Sequence, residues 1–313
     1  MTANQSVRSG RQAVLGAGGI GGLVAAALAH QGADVTVILR PEALAAYPAS
    51  LSVTSPQGSW RVSVQRAAAV AQAYDVLWVA VKATQLEDAL RAVRDDQEIG
   101  AIVPLLNGID HVATLRQRFG HDRVVPATIA VESERISPGV IIQRSPFARL
   151  SASARGESWL APALETLRQF GFTCQLVSDE VTLLWSKCVF LAPLALATTA
   201  ARLSIGEVIA DAEWRGRLDA CVGEACSVAL EHGATVDAAQ VMAALRGLPP
   251  SMRSSMQKDV AAGRAPELDA IAGPILRGAA AYAIDAPITG ELAAIVREMD
   301  QAKGGRVTRS RFV

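Results

Sequence analysis

Four near-continuous apolar runs in the first third of the chain alternate with stretches of helical periodicity. The runs cover residues 12–15, 34–39, 76–81 and 101–106. Strands that are buried on both faces of a parallel sheet have this composition, rich in β-branched residues and without regular polar alternation. Between the runs the pattern predicts helices over residues 20–31, 84–94 and 110–119. The first part of the chain is therefore predicted to be α/β, with a doubly wound parallel sheet.

Shorter apolar segments surround two turn signals. Segments 50–54 and 60–64 flank Pro56-Gln57-Gly58, which predicts a hairpin inserted before the next parallel strand. Segments 124–131 and 140–144 flank Ser137-Pro138-Gly139, a second turn. We expect these last two segments to extend the parallel sheet as antiparallel edge strands.

From about residue 181 onward the pattern changes to long helical periodicity. Helices are predicted over residues 185–200, 214–231, 236–246, 267–282 and 287–303. The basic tail from Gly304 onward is expected to fray. The change of pattern predicts two domains, residues 1–178 and 179–313, with an active site in the cleft between them.

Composition narrows the class of protein. Half of the 313 residues are hydrophobic and 19% are charged, which is typical of a folded globular chain. The formal net charge of +0 favours neither nucleic acid nor an acidic surface as a partner. The apolar stretch 188–201 is too short to span a bilayer and predicts a buried helix, and the polar residues 1–10 show no secretory signal. The four cysteines lack CxxC spacing, so free thiols in the cytoplasm are expected and a metal site is not.

A glycine motif follows the first apolar run. It comprises six consecutive residues, which are Gly16, Ala17, Gly18, Gly19, Ile20 and Gly21. In a strand–turn–helix context the first glycine allows a tight turn, the second lets a pyrophosphate approach, and the last lets the helix pack against the strand. The helix N-terminus attracts the phosphates. The motif predicts a dinucleotide site.

The residue at the end of the second predicted strand indicates which dinucleotide. NAD-dependent enzymes usually have Asp or Glu there, to bind the ribose hydroxyls. This chain has Arg40, whose guanidinium can bind a 2′-phosphate in a bidentate manner. The motif with Arg40 predicts NADP(H), although a solvated arginine at a strand end is the alternative.

Further motifs in the same order resemble the ketopantoate reductases (2-dehydropantoate 2-reductases), and the similarity covers nearly the whole chain. The motifs are Val81-Lys82-Ala83, Leu106-Asn107-Gly108, Trp185-Ser186-Lys187, Ser254-Ser255-Met256 and Glu267-Leu268-Asp269. The resemblance implies a Rossmann-type domain followed by an all-helical domain of the 6-phosphogluconate dehydrogenase C-terminal type. It also implies reduction of a 2-oxo acid by NADPH.

The resemblance assigns roles to individual residues. Lys187 is the expected proton donor, and its neighbours at i+4 and i+8 are the apolar Leu191 and Ala195, so partial desolvation should lower its pKa. The expected substrate-binding residues are Asn107, Lys187, Leu191, Ala195 and Ser255. The expected cofactor-binding residues are the six of the glycine motif with Arg40, Lys82, Asn107, Glu132 and Glu267.

Each of these residues also has a purely structural interpretation. Asn107-Gly108 is a good turn by itself, and an isolated helical lysine is usually a solvated charge. Ser255 could bond a helix carbonyl, and Glu267 could complement a helix N-terminus after Pro266.

One departure from the family affects the substrate. Positions that usually carry asparagines in the pantoate pocket are Leu191, Ala195 and Ile205 here. Ketopantoate reduction in pantothenate synthesis is the leading prediction, and a more apolar 2-oxo acid or an imine is the alternative. A non-catalytic NADPH-binding sensor is a third hypothesis. Homodimer formation is possible, and no nucleic-acid or membrane partner is expected.

Overall fold

The computed structural model describes residues 10–309, with side chains described as far as residue 302. The polar segment 1–9 and residues 310–313 lie outside this range, so the sequence interpretation of the N-terminus and of the last four residues of the basic tail remains a prediction. Residues 304–309, which were expected to fray, continue the last helix instead. The chain folds into two compact units. One comprises residues up to Leu106 and from His111 to Leu183, and the other comprises Asn107–Asp110 and the residues from Leu184 onward.

Twelve strands are formed by the described residues of the first unit. They are β1 Arg11–Leu15, β2 Asp34–Ile38, β3 Ser50–Ser55, β4 Gly58–Ser63, β5 Gln65–Ala67, β6 Tyr74–Val79, β7 Ile99–Pro104, β8 Ala127–Ala130, β9 Ser133–Ser137, β10 Val140–Gln143, β11 Arg149–Ser153 and β12 Thr173–Val177.

Twelve α-helices are formed in the described residues. They are α1 Gly19–His30, α2 Pro41–Leu44, α3 Leu86–Leu90, α4 His111–Phe119, α5 Glu157–Phe170, α6 Glu180–Ala201, α7 Ile205–Ala210, α8 Ala212–Glu231, α9 Ala238–Arg246, α10 Ser255–Ala261, α11 Leu268–Tyr282 and α12 Pro287–Arg309.

Five parallel strands form the central sheet of the first unit, in the spatial order β5-β2-β1-β6-β7. If these five strands alone are numbered from 1 to 5 along the chain, their spatial order is 3-2-1-4-5, the arrangement of a doubly wound nucleotide-binding sheet. Strand order reverses between β1 and β6, and ligands of such sheets bind at the carboxyl ends of the strands on either side of that point. The predicted parallel sheet is thus confirmed.

Two predictions about the smaller strands differ from the structure. The hairpin of β3 and β4 forms as predicted, but it belongs to a separate four-stranded sheet, β4-β3-β10-β9. The segments that we expected to extend the parallel sheet do not join it: β10 pairs with β3 and β9, and β8 joins a third sheet, β12-β11-β8. Strand β9 has the sequence Ser-Glu-Arg-Ile-Ser and is mostly exposed, so hydrophobic patterning gave no sign of it.

Helix prediction was wrong in one place of the first unit and incomplete elsewhere. The helix predicted over residues 84–94 is a 3₁₀ turn at Ala83–Gln85 followed by the five-residue α3. Helix α5 was not predicted either; its apolar face packs on the core of this unit through Leu160, Leu164 and Leu167.

The second unit is helical, as predicted, and the five predicted helices correspond to α6, α8, α9, α11 and α12. The short helices α7 and α10 were not predicted, because six or seven residues are too few for a clear period. Helix α6 alone among the described helices is long and apolar enough, by length and composition, to cross a membrane. Since 61% of its apolar window is buried inside the protein, it is better explained as a core helix.

Candidate functional site

The glycine motif forms the turn between β1 and α1. Gly16 has φ +98°, a backbone conformation that residues other than glycine rarely adopt. Its amide donates to the carbonyl of Ile38 at 3.2 Å, and a Cβ on Gly16 would contact Val81 and the carbonyl of Ala80. The turn therefore lies between the carboxyl ends of β2 and β6.

Two other glycines of the motif have opposite surroundings. A Cβ on Gly21 would overlap the carbonyl oxygen of Gly16, so α1 packs against the turn at a distance that only glycine permits. A Cβ on Gly18 would meet nothing within 4 Å, so the space beside the helix N-terminus is open. Gly18 is the N-cap of α1 and supplies no side-chain cap, and the first turn holds no acidic residue. The turn and helix N-terminus thus suit a pyrophosphate.

Cationic residues follow the strands on both sides of the glycine turn. Arg40 follows β2 as the N-cap residue of α2, and Lys82 follows β6 as the N-cap residue of a 3₁₀ turn. The Arg40 side chain is 75% exposed, and its Nε lies 3.6 Å from Oε1 of Glu42. An exposed guanidinium of this kind is available to a phosphate at the end of β2.

The first residue of β9 lies against the glycine motif. The Ser133 hydroxyl donates to the carbonyl of Gly19 at 2.9 Å, and a Cβ on Gly19 would collide with the Ser133 carbonyl. Glu132 precedes this contact and is partly buried. Ser133 was not among the predicted site residues, and no sequence signal marks it, since it is separated by 114 positions from the residue it bonds.

A lysine, an asparagine and a glutamate come together in the second unit. Lys187 is partly buried on α6. Burial lowers the pKa of Lys187 to about 8, whereas the negative charge of Glu267, together with the Cys188 thiol, acts to raise it. The lowered pKa agrees with the prediction from the apolar residues on this face of the helix. An ammonium group with this pKa is mostly protonated at neutral pH and can also release its proton there.

Glu267 connects the lysine to the asparagine. Its side chain is 9% exposed at the N-cap position of α11, and it makes no capping hydrogen bond to that helix. Instead, the Asn107 side-chain amide donates to Oε2 of Glu267 at 3.2 Å. The structure thus brings Lys187, Asn107 and Glu267 into one cluster, although they are distant in sequence.

The remaining predicted substrate residues are buried to different extents. Leu191 is partly buried on α6, whereas Ala195 and Ile205 are fully buried in the hydrophobic core of the second unit. Ser255 is exposed in the first turn of α10. Its neighbour Ser254 caps that helix by accepting from Gln257 N at 3.1 Å. Ser254 also accepts from the Thr198 hydroxyl at 3.0 Å, which ties α10 to α6.

The fold and these two groups of residues define a class, namely a dinucleotide-binding α/β reductase with a lysine-containing site in its helical unit. The family models of the ketopantoate reductases PanE/ApbA match residues 12–153 and, for the C-terminal domain, residues 181–300. The chain therefore belongs to the ketopantoate reductase family, and it is an oxidoreductase that acts on CH–OH groups.

Relatives and solved structures agree with this assignment. A 2-dehydropantoate 2-reductase of Caulobacter vibrioides is 30% identical over 292 residues, which cover 91% of this chain and 97% of the relative. A ketopantoate reductase structure from Ralstonia eutropha JMP134 superposes with a TM-score of 0.83 at 23% identity, covering 94% of this chain and 99% of that one. D-mandelate dehydrogenase with NADH and anilino(oxo)acetate superposes with a TM-score of 0.82 at 18% identity, with the same coverage, and this shows the fold alone.

Proposed function

We propose that this enzyme reduces a 2-oxo acid to a 2-hydroxy acid with NADPH, and that its substrate is ketopantoate, reduced to pantoate in pantothenate biosynthesis. The observation that carries the proposal is the cluster of Lys187, Asn107 and Glu267 in a chain of this family. A non-catalytic sensor would need the nucleotide-binding unit but would have no use for this cluster, so the sensor hypothesis is disfavoured.

The residues of the cluster have distinct parts in the reaction. A bound nicotinamide would supply the hydride for the carbonyl carbon of the substrate. Negative charge then develops on the carbonyl oxygen, where the Lys187 ammonium stabilises it and donates a proton from Nζ. Asn107 orients the substrate and nicotinamide, Ser255 holds the substrate carboxylate, and Glu267 bonds a ribose or substrate hydroxyl while keeping Lys187 charged.

The choice of NADPH over NADH rests on Arg40. An exposed guanidinium after β2 attracts a 2′-phosphate, whereas an NAD site usually has a carboxylate there. In the first unit, Lys82, Glu132 and the six residues of the glycine motif complete the proposed cofactor contacts.

A more apolar 2-oxo acid is a second candidate substrate. The observation that favours it is the apolar face beyond Lys187, where Leu191 is partly buried and Ala195 and Ile205 offer no hydrogen-bonding group. A site that lacks partners for a substrate hydroxyl loses its preference for the hydroxylated acid.

Two acids that differ by one hydroxyl distinguish these candidates. The wild-type enzyme is assayed for NADPH oxidation with ketopantoate and with 3,3-dimethyl-2-oxobutanoate, which lacks only the hydroxyl. If ketopantoate is the substrate, its kcat/KM exceeds that of the analogue by at least about tenfold, since groups built to bond the hydroxyl are left unpaired by the analogue. Equal or better reduction of the analogue supports the apolar substrate. If neither acid supports NADPH oxidation, the proposal is contradicted.

Two further features belong to the proposal. A ketopantoate reductase of Staphylococcus aureus with this fold is described as dimeric, and we propose a homodimer here, which light scattering of the purified protein tests. The four cysteines are free thiols, three of them buried, which suits a cytoplasmic enzyme.

A further inference from the structure

The turn that carries Asn107 packs with the helical unit. In sequence, Asn107–Asp110 lies between β7 and α4, which are both in the first unit, yet its four residues belong to the second unit. Asn107 is therefore held in place by the helices of the second unit, and the way it is held decides where its amide lies.

Three contacts join this turn to the beginning of α11. Asn107 donates to Glu267 at 3.2 Å. Gly108 has φ +80°, and a Cβ there would overlap the carbonyl oxygen of Ala270. Asp110 pairs with the guanidinium of Arg277. The turn is thus fixed at its first, second and last residue.

Arg277 is shared between two carboxylates. One of its terminal nitrogens contacts Asp110, and the other donates to Oδ1 of Asp269 at 2.8 Å. Asp269 precedes Arg277 by eight residues, or about 12 Å along α11 at about 1.5 Å per residue. The side chain can run back along the helix because residue 273 is glycine: a Cβ on Gly273 would overlap the guanidinium. Gly273 thereby provides the path along which Arg277 reaches both carboxylates.

We propose that Arg277, lying over Gly273, is a positioning residue that holds the Asn107–Asp110 turn through Asp110 and so sets the geometry of the cluster of Asn107, Glu267 and Lys187. The catalytic part of this inference rests on the proposed function. Arg277 and Asp110 are each about half exposed, so the ion pair itself adds little to the stability of the fold. Its effect is expected in the arrangement of the site.

The variant Gly273→Ala tests the inference without removing a charge. The new methyl group displaces the Arg277 guanidinium, which is the far end of a flexible side chain, while alanine favours the helix over glycine. We expect an unchanged or higher Tm, and a fall in kcat/KM on the order of tenfold, within the loss that misplacement by about 1 Å can cause. Gly223→Ala in α8 is the matched control, since a Cβ there meets nothing within 4 Å.

A second pair of variants removes the guanidinium. Arg277→Met should reproduce the kinetic loss, and Arg277→Lys should restore only part of the rate, because lysine lacks the fork that bridges two carboxylates. Arg217→Met is the control, since Arg217 also contacts two carboxylates, those of Glu213 and Glu291. Equal kinetics in the Arg277 and Arg217 variants would overturn the inference.

Titration of Lys187 gives a readout that does not depend on activity. The chain has only four lysines, so ¹⁵N-lysine NMR resolves Lys187, which Lys187→Arg identifies. The groups whose charge affects the pKa of Lys187 are Glu267 and Cys188, and the charge of Asp110 in turn affects the pKa of Cys188. If Arg277 holds Glu267 and Asn107 together, its loss moves the Glu267 carboxylate away from Lys187. Because that carboxylate raises the pKa of Lys187, the titration midpoint of Lys187 should fall.

The two proposals can fail separately. A wild-type enzyme that reduces neither acid contradicts the proposed function, but a lower Lys187 midpoint in Gly273→Ala and Arg277→Met still supports the positioning role. An active wild-type enzyme whose Gly273→Ala and Gly223→Ala variants have the same kcat/KM and the same Lys187 midpoint refutes the positioning role alone.

Discussion

At the scale of single residues, the surroundings of Lys187 suit it to transfer a proton near neutrality. An exposed lysine holds its proton too tightly to donate it efficiently, because its pKa is near 10.4. Burial brings the pKa of Lys187 to about 8, and Glu267 limits how far it falls. The two effects together leave the ammonium charged at neutral pH and able to release its proton.

The pH dependence of the rate follows from this pKa. Since the proton donor must be protonated, kcat/KM for the 2-oxo acid is expected to decline as the pH rises through about 8. Glu267→Gln removes the charge that raises the pKa of Lys187, so the decline should move to lower pH. Steady-state rates of the wild type and of Glu267→Gln across the pH range measure the decline and its shift. A decline at the same pH in both proteins would show that Glu267 does not raise the pKa of the proton donor.

Arg40 and Glu42 are expected to act in opposite directions on the cofactor. Arg40→Ala should weaken NADPH binding and leave NADH binding nearly unchanged, because only NADPH has the 2′-phosphate. Glu42→Gln should strengthen NADPH binding, since it removes a carboxylate that pairs with Arg40 at 3.6 Å. Fluorescence titration with both cofactors measures the four affinities. An unchanged NADPH affinity in Arg40→Ala would exclude the 2′-phosphate contact.

At the scale of elements, two glycines of the glycine turn have different roles, one in the stability of the fold and the other in cofactor binding. Gly21 is needed for the packing of α1 against the turn, whereas Gly18 leaves open the space that the pyrophosphate needs. The two positions are three residues apart in one motif, and a single methyl group should have a different consequence at each.

Alanine substitutions at these two glycines test that difference. Gly18→Ala should keep the wild-type Tm in the absence of cofactor but weaken NADPH binding, because its methyl group fills the open space. Gly21→Ala should lower the Tm, since its methyl group overlaps the Gly16 carbonyl and the backbone must move. Thermal melts with and without NADPH measure both effects. A loss of Tm in Gly18→Ala equal to that in Gly21→Ala would contradict the separation.

The elements also show how far the sequence could predict the structure. The parallel strands were predictable because strands buried on both faces are continuously apolar, and the long helices because their period repeats over several turns. Strand β9 is polar and exposed, and its role depends on pairing with β10 and on the contact of Ser133 with Gly19. Likewise, the pairing of Asp110 with Arg277 spans 167 positions and leaves no local pattern. What could not be predicted is set by contacts that form only on folding.

At the scale of the whole molecule, two hydrophobic cores stabilise the two units. One core packs β-strands and α1 and α5 in the first unit, and the other packs α6, α8 and α11 with their neighbours in the second. The boundary between the units falls within α6, after Leu183, so one continuous helix carries Lys187 four residues beyond that boundary. The family models match parts of both units.

The role of Lys187 as the proton donor in an NADPH-dependent reduction is tested by the rate of NADPH oxidation with a saturating 2-oxo acid in Lys187→Ala and Lys187→Arg. Loss of a general acid typically costs about 10² or more in turnover, so both variants should lose at least that much, with little loss of NADPH affinity. Arginine retains the positive charge but not a releasable proton, which separates proton donation from charge alone. Near-normal turnover in Lys187→Ala would contradict the account.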